Sequence, residues 1–128
     1  MNPLTVLDEA DAFFQATVRR FARERIAPHV RSMDELGVFR AEILRELFEL
    51  GLMSIEIPEE YGGQEGSFFQ SIVAIEELAR VDPSVALIVA AHTSLCSNHL
   101  YLAGSAEQKK KYLPRLASGE WLGSWALT

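Results

Sequence analysis

The sequence has 128 residues, of which 48% are hydrophobic and 23% are charged. That length and apolar content suit one globular domain with its own core, and they exclude a disordered chain. The 12 basic residues are outnumbered by 18 acidic ones, which gives a net charge of −6. Nucleic acids and anionic membranes attract basic proteins, so neither is expected as a partner.

The cysteine content and the first residues indicate the compartment. Cys96 is the single cysteine of the sequence, so no disulfide can form within the chain. Residues 1–9 lack the basic cluster and the long apolar run of a secretion signal. The most apolar run, residues 85–91, is too short to cross a bilayer. We therefore predict a cytoplasmic protein without a membrane span.

The first predicted helix covers residues 7–26, and a short second helix covers residues 30–36. Pro28 is expected to end the first helix, because proline cannot continue the backbone hydrogen bonds, and Gly37 ends the second. Arg19 lies on the polar face of the first helix. The opposite face is apolar at steps of three and four residues, formed by Leu7, Ala10, Phe14, Val18 and Phe21.

A third helix is predicted over residues 40–50, with Gly51 as the left-handed residue just beyond its end. Residues 52–58 are too few and too interrupted for a helix, so we expect an extended connection with every other side chain buried. Residues 59–63 should form a turn, because Gly62 and Gly63 permit positive φ angles.

Capping residues mark the starts of the fourth and fifth helices. Ser67 and Gln70 have the spacing of a capping box and open a fourth helix that reaches Arg80. Asp82 directly before Pro83 is a strong start for a fifth helix over residues 83–103. That helix is apolar nearly all round, which is typical of the central, buried helix of a domain.

The carboxyl-terminal part of the sequence predicts one more helix and then a change of character. Ser105 and Gln108 form a second capping box, and the sixth helix carries three lysines before Pro114. Residues 121–128 combine aromatic and small side chains and predict a β-strand, but one strand alone has no partner. We therefore predict an all-α bundle of about six helices over residues 1–119. Residues 120–128 would be the first strand of a middle β domain whose remainder is missing.

Three residues of types that bind zinc share one face of the predicted fifth helix. His92, Cys96 and His99 follow one another at the spacing i, i+4 and i+7. No second cluster of histidine, cysteine or acidic residues stands near them on this helix, and such residues are ordinary in buried helices. Plain packing is therefore favoured over a metal site.

The charged runs are also better explained without chemistry. Glu76 and Glu77 point about 100° apart on a helix, so they cannot act on one substrate as an acid–base pair, and one of them is expected on a solvated face. The lysines at 109–111 most simply form a solvated stretch, with phosphate binding as the less favoured alternative. The sequence contains no glycine-rich phosphate loop, catalytic Ser/His/Asp set or CxxC motif.

Several segments form a recognisable set that covers essentially the whole chain. They are RFARERIAP at 20–28, LGLMSI at 50–55, IPEEYGG at 57–63, IEELARVD at 75–82, GSAEQKKKYLP at 104–114 and GSWALT at 123–128. In this order they resemble the acyl-CoA dehydrogenase family. Residues 32–35 and 51–56 are most similar to its short/branched-chain and short-chain enzymes. The resemblance implies the amino-terminal helical domain of such an enzyme.

The resemblance further implies an FAD-dependent oxidoreductase with a middle β-barrel and a carboxyl-terminal four-helix bundle. FAD and an acyl-CoA substrate would lie between the domains. A glutamate would remove the α proton while the β hydrogen leaves as hydride to the flavin, which gives a 2-enoyl-CoA, as in fatty-acid β-oxidation or amino-acid degradation. Electrons would pass to an electron-transfer flavoprotein, and a homotetramer is the expected assembly.

The resemblance also implies roles for individual residues. Three residues of the final strand are expected to contact FAD: Trp125, Leu127 and Thr128. Four residues of the fifth helix are expected to line the acyl-chain cavity: Ile88, Ala91, His92 and Leu95. Plain core packing is an equal alternative for each of these four. The catalytic base is expected in the carboxyl-terminal domain, so this chain should supply no catalytic residue and be inactive alone.

Two alternatives to a dehydrogenase are open. A stand-alone helical interaction module would have kept the fold and lost the chemistry, and it would be folded and free of flavin. A flavin oxidase or monooxygenase of the same fold would bind FAD but consume oxygen. Flavin content, the response to acyl-CoA and oxygen consumption separate the three hypotheses.

Overall fold

The computed structural model describes residues 6–126, which form an all-α domain of five helical units. The first unit is α1 (Glu9–Phe21), which continues through a π-helical turn (Ala22–Ile26) and a 3-10 turn (Ala27–His29) into α2 (Val30–Leu36). The second and third units are α3 (Ala41–Glu49) and α4 (Phe68–Ala79), with a short 3-10 turn (Glu59–Tyr61) between them.

The fourth unit is the long helix Pro83–Ala103. It comprises α5 (Pro83–Ala90), a π-helical segment (Ala91–Ser97) and α6 (Asn98–Ala103). The fifth unit, α7 (Ala106–Ser118), continues through Pro114 and ends at Gly119, whose φ is 83°. The sequence predicted about six helices, and the difference arises because the first two are joined without a break.

Pro28 does not end the first helix, contrary to the sequence-based prediction. It lies in the first turn of the 3-10 segment, where a missing N–H group costs no hydrogen bond. The wider π-helical turn just before it lets the helical path continue into α2. Gly37 then ends α2 with a φ of 61°, as predicted.

The predicted helix starts are confirmed by their caps. Ser67 and Gln70 form a complete capping box at α4, with side-chain hydrogen bonds of 3.1 Å in both directions. The Ser105–Gln108 box at α7 has bonds of 2.8 and 3.2 Å. Asp82 accepts the backbone N–H of Ser84 at 2.8 Å, which caps the long helix. Each cap satisfies backbone donors that the first helical turn leaves free.

Residues 52–58 do not form the predicted extended connection with alternate burial. Leu52, Met53, Ser54 and Ile55 are all buried in succession. The chain winds through tight turns instead, in which Ser54 donates to the Gly51 carbonyl at 3.2 Å and Ile57 donates to the Ser54 carbonyl at 3.3 Å. Such turns rotate successive side chains towards different neighbours, so the two-residue period of a strand does not apply. Gly51 has the predicted positive φ, 72°.

The core lies between α1, α3, α4 and the amino-terminal half of the long helix. Its buried apolar side chains are Val18, Phe21, Ala22, Ile26, Ile43, Leu47, Ala74, Leu78, Val85, Ala86 and Val89. Their removal from water is the main favourable contribution to folding, at about 25 cal/mol for each Å² of apolar surface. This core fixes the long helix, which positions the candidate site.

One half-buried ion pair joins α1 to α4. Arg19 donates from Nε and Nη2 to the two carboxylate oxygens of Glu77, each at 2.8 Å. Glu77 is buried, whereas its neighbour Glu76 is exposed, so the solvated role predicted for one of the two belongs to Glu76. The Arg19 side chain, predicted on the polar face of the first helix, is 38% exposed and still reaches the buried carboxylate of Glu77, a contact that the sequence did not predict.

The long helix is buried along only part of its surface. Val85, Ala86, Val89, His92 and Thr93 are buried, but exposed leucines occur along the same helix at positions 87, 95 and 102. The helix is long and apolar enough to cross a membrane by length and composition alone. The core helix of a soluble domain meets that criterion as well, so one such helix is weak evidence for a membrane span.

Residues 121–126 form no strand, contrary to the sequence-based prediction. The predicted strand also included residues 127 and 128, which lie outside the described residues. A strand exists only when its backbone pairs with another strand, and the described residues form helices and turns that provide none. The backbone of this segment makes hydrogen bonds to α7 and to the long helix instead.

Candidate functional site

The chain turns back after α7 and lies across the long helix. Gly119 adopts a left-handed conformation, and the backbone N–H of Trp121 donates to the Arg115 carbonyl at 3.1 Å. The guanidinium carbon of Arg115 lies 4.7 Å from the centre of the Trp121 ring. These contacts direct residues 121–126, which we call the docked segment, onto one face of the long helix.

His92 makes the first contact between that face and the docked segment. Its imidazole is fully buried, and Nδ1 accepts the backbone N–H of Gly123 at 2.9 Å. Nε2 lies 3.2 Å from the carbonyl oxygen of Leu116 in α7. The Phe48 ring of α3 meets the imidazole edge-on, with 5.3 Å between ring centres. His92 therefore joins the long helix, α3, α7 and the docked segment at one point.

Burial lowers the pKa of His92 below its ordinary value of 6.5, and the hydrogen bond to the Leu116 carbonyl opposes that change. The ring is therefore neutral at neutral pH. A carbonyl oxygen accepts only, so Nε2 carries the proton and Nδ1 is left as the acceptor for Gly123. The hydrogen-bond network thus assigns one tautomer to His92.

Cys96 makes the second contact, one helical turn further along. Burial raises the pKa of the Cys96 thiol above 9.0, and the backbone of Ser124 nearby opposes that change. Gly123 packs so closely here that an added Cβ would lie 2.5 Å from the Cys96 sulfur. Only glycine allows this approach of the backbone to the helix.

His99 makes the third contact. Its ring centre lies 4.4 Å from that of Trp125, with the two planes tilted by 56°. His92 and Cys96 thus meet Gly123, and His99 meets Trp125 two residues further on. We call these three helix residues the docking strip. Their shared face was predicted from the sequence, but the segment that covers it was not.

The metal site that was weighed for these three residues has no support in the geometry. Both ring nitrogens of His92 are engaged by backbone groups, so neither is free to bind an ion. Across residues 6–126, no group of three histidine, cysteine or acidic side chains is arranged to hold a metal.

An apolar groove of about 440 Å³ opens beside the docking strip. It lies between the carboxyl-terminal half of the long helix, the start of α7 and the docked segment. Its lining includes Leu95, Cys96, His99, Leu100, Ser124 and Trp125. The groove therefore brings together a predicted acyl-binding residue, Leu95, and a predicted flavin-binding residue, Trp125. A pocket of this size with few polar groups suits an apolar ligand or a flat ring.

The other residues predicted to bind substrate lie outside this groove. Ile88 packs against the core cluster, and Ala91 is half-buried. His92 is enclosed and makes the contacts described above. Leu127 and Thr128 lie outside the described residues. The binding roles assigned to all seven residues stay predictions.

Sequence reasoning missed Gly123 and did not give Cys96 and His99 their role in docking. The spacing i, i+4 and i+7 was the available signal, and it shows only that three residues share a face. What covers that face depends on contacts between residues 24 to 31 positions apart, such as His92 with Leu116 and with Gly123. A single sequence gives no direct indication of such pairs.

Comparison with known proteins identifies the domain. The family model described as "Acyl-CoA dehydrogenase, N-terminal domain" matches residues 8–120. The chain belongs to the acyl-CoA dehydrogenase family. The resemblance stated from the sequence motifs is thereby confirmed, and the matched range covers the helical units and the docking strip.

Curated relatives in the family share about two fifths of their residues with the matched part of this chain. A "probable short/branched chain specific acyl-CoA dehydrogenase" of Dictyostelium discoideum is 40% identical over 128 residues, which is 100% of this chain and 31% of that protein. The mitochondrial short/branched chain specific acyl-CoA dehydrogenase of Rattus norvegicus is 41% identical over 98% of this chain and 29% of its own length. The chain thus spans less than a third of these relatives.

Solved structures have the same fold over this part of their chains. A glutaryl-coenzyme A dehydrogenase in complex with glutaryl-CoA gives a TM-score of 0.87 at 31% identity, covering 96% of this chain and 31% of that one. A glutaryl-CoA dehydrogenase of Mycobacterium smegmatis in complex with FADH2 gives 0.84 at 31% identity, covering 91% and 30%. A chain of the electron transferring flavoprotein structure from Acidaminococcus fermentans gives 0.83 at 33% identity, covering 89% and 30%.

Proposed function

We propose that this chain is the amino-terminal part of an FAD-dependent acyl-CoA dehydrogenase that converts a short or branched acyl-CoA to the 2-enoyl-CoA. The observation that carries the proposal is the identity of about 40% to short/branched-chain enzymes along the whole chain. Family membership supports the class of reaction, and the branched-chain relatives favour the substrate. We further propose residues 1–119 as the helical domain and 120–128 as the start of a middle β domain.

The groove beside the docking strip supports the substrate class. Its walls are largely apolar, and Leu95 is half exposed along it. An alkyl chain gains about 0.8 kcal/mol for each methylene that such walls remove from water. The position of Leu95 opposite Trp125 would place a short tail next to the flavin edge. The role of this chain is then to bind and to exclude water, while the base comes from elsewhere in the protein.

The residues of this chain also fit one edge of a flavin. Family members are FAD flavoproteins. The Trp125 indole is 43% exposed, is backed by His99 and borders an apolar groove, which suits a flat aromatic ring. Trp125 would hold FAD together with Leu127 and Thr128, the two further predicted contacts. When bound, FAD supplies the hydride acceptor for the β hydrogen.

The proposal is tested with the protein expressed together with any natural sequence that flanks these residues. The purified protein should be yellow, and its flavin absorbance should bleach without oxygen when butyryl-CoA or 2-methylbutyryl-CoA is added. Leu95→Phe narrows the groove and should reduce the rate more for the branched substrate than for the linear one. Leu102→Ala, an exposed position outside the groove lining, is the matched control.

The possible outcomes separate the alternatives. A flavin that bleaches and is reoxidised rapidly with oxygen consumption would favour an oxidase or monooxygenase of the same fold. A folded, colourless protein that ignores every acyl-CoA would overturn the proposal and favour an interaction module. The electron acceptor is proposed to be an electron-transfer flavoprotein, the assembly a homotetramer and the compartment the cytoplasm. Reduction of added electron-transfer flavoprotein, sedimentation and cell fractionation test these three statements.

A further inference from the structure

The docking strip holds the docked segment in one register. His92 and Cys96 meet Gly123 and His99 meets Trp125, so a shift by one residue would misplace all three contacts. The strip lies largely in the π-helical part of the long helix, a geometry that recurs at functional sites. The register decides where Trp125 lies beside the groove.

The first of these contacts differs from the other two because it is buried and directional. The Gly123 N–H donates to Nδ1 of His92 at 2.9 Å, and the Leu116 carbonyl fixes the opposite side of the ring. The ring cannot rotate without losing both hydrogen bonds inside the protein, where an unmet polar group is costly. His92 therefore fixes the distance between the Gly123 backbone and the long helix.

The close packing at Gly123 prevents movement in the other direction. An added Cβ at this residue would lie 2.5 Å from the Cys96 sulfur and 3.2 Å from Cδ2 of Leu116. The backbone is thus held by a hydrogen bond on one side and by steric contact on the other. A backbone held from both sides in this way restricts the movement of the residues that follow it.

We propose that His92 is a positioning residue, whose Nδ1 fixes Gly123 and thereby places Trp125 and the predicted flavin edge against the groove. The effect on the reaction rests on the proposed function. The fixing of Gly123 by His92 does not depend on it. His92 was predicted to line the acyl cavity, and this inference gives it a different task. It acts through Gly123 and does not line the groove.

Two substitutions separate positioning from plain stabilisation. His92→Asn places a carboxamide oxygen near the position of Nδ1, so it keeps the acceptor for Gly123 and loses the donor to Leu116. His92→Gln places its amide near the position of Nε2, so it keeps the donor to Leu116 and loses the acceptor for Gly123. Asparagine removes more of the packing against Phe48, so His92→Asn should be at least as destabilised as His92→Gln.

The first measurement is hydrogen exchange of residues 119–126 in the full protein, read by mass spectrometry. We expect exchange about tenfold faster in His92→Gln and close to the parent rate in His92→Asn, because one hydrogen bond accounts for roughly this factor. If His92 only stabilised the fold, the order would be reversed, with faster exchange in the less stable His92→Asn. The reversed order, or equal rates, overturns the proposal.

The second measurement is catalytic. In the flavin-loaded protein, His92→Gln should lower kcat about tenfold or more and change KM by less than about threefold, since misplacement affects the reacting geometry more than binding. His92→Asn should restore most of kcat. An equal loss in both variants, or a change in KM alone, contradicts a positioning role.

A third variant keeps the proposal testable if either histidine variant fails to fold. Gly123→Ala leaves His92 intact but pushes the docked segment away from Cys96, and it should reproduce the fast exchange and the low kcat. Normal exchange and kcat in Gly123→Ala would overturn the inference. The exchange data remain decisive even if the protein proves to bind no flavin, so failure of the proposed function is distinguishable from failure of this one.

Discussion

The long helix Pro83–Ala103 takes part in two regions that are held together in different ways. Its amino-terminal half belongs to a packed region with α1 and α4, where apolar side chains are buried and the carboxylate of Glu77 is buried beside Arg19. At the docking strip, by contrast, the docked segment is held by the hydrogen bond from Gly123 to His92, the close packing of Gly123 on Cys96 and the ring contact of Trp125 with His99. The comparison indicates that the packed region contributes most of the free energy of unfolding. The main role of the docking strip is to fix the position of the docked segment.

The largest expected effect comes from the ion pair between buried Glu77 and partly exposed Arg19. Glu77→Ala should lower the free energy of unfolding by about 3 kcal/mol, because loss of the buried side chain opens a cavity and removes two charge-assisted hydrogen bonds between α1 and α4. The matched control is Glu46→Ala, whose carboxylate pairs with Arg25 in the same two-point manner but is 23% exposed, against 1% for Glu77. Urea unfolding should show a loss of less than about 1 kcal/mol for Glu46→Ala. Similar losses of unfolding free energy in Glu77→Ala and Glu46→Ala would show that the burial of Glu77 does not explain the effect.

The second prediction compares the two ends of the long helix directly. Val89→Ala, at a buried position, should cost about 2 kcal/mol of unfolding free energy. Leu102→Ala removes more carbon but should cost less than about 0.5 kcal/mol, because Leu102 is 80% exposed. Denaturant unfolding of both variants measures the difference. A comparable cost for Leu102→Ala would show that another part of the protein covers it.

The third prediction uses pH to separate the regions, because Glu77 in the packed region and His92 in the docking strip both have a lowered pKa. Burial lowers the pKa of His92 below 6.5, so the unfolded chain binds a proton more readily, and stability should begin to fall as pH drops below about 6.5. Hydrogen bonds from Arg19 lower the pKa of Glu77 below 4.5, so its contribution is present above about pH 4.5 and is lost as pH falls through the lowered value.

Unfolding free energies measured from pH 8 to pH 3 should therefore show two phases. His92→Asn cannot titrate, so it should abolish the phase that begins near pH 6.5 and leave the lower one. Glu77→Gln should weaken the lower phase and leave the upper one, because the hydrogen bonds from Arg25 lower the pKa of Glu46 as well. A profile in which either variant removes both phases would contradict the assignment of His92 to the upper phase and of Glu77 to the lower one.

The smallest expected effect is at the exposed end of the docking strip. Trp125→Ala should change the free energy of unfolding by less than about 0.5 kcal/mol, because the indole makes only a surface contact with His99. Flavin retention should nevertheless fall, since the aromatic edge is removed. Trp121→Ala, which loses the contact with Arg115 instead, is the control and should retain flavin. A large loss of stability in Trp125→Ala would mean that the strip also supports the fold.

What the sequence predicted well was local. The capping boxes at Ser67 and Ser105 placed helix starts correctly, because a cap is a contact between residues three apart. Gly37 and Gly51 were identified as left-handed residues, since few other residues adopt that conformation. The family was recognisable for a related reason, because its motifs follow one another along the chain.

What it missed depended on distant residues. Arg19 and Glu77 are 58 positions apart, so the pattern of α1 alone placed Arg19 on the polar face. The burial of four successive residues after Gly51 follows from turns whose neighbours come from several helices. The aromatic residues after Gly119 have strand propensity, but propensity yields to the partners that are available. The site residues were proposed by resemblance, and their order along the strip emerged only from the fold.

The close approach at Gly123 has a consequence for natural variation among related proteins. His92 hydrogen-bonds only to main-chain groups of Gly123 and Leu116, so these hydrogen bonds demand no particular side chain in return and should leave no paired substitution in an alignment. Positions 96 and 123 behave differently, because side chains at these two positions would occupy the same space. Related proteins with a larger residue at 123 should carry a smaller one at 96. Correlated substitution at these two positions would therefore indicate that the docked segment packs on the long helix in the relatives as well.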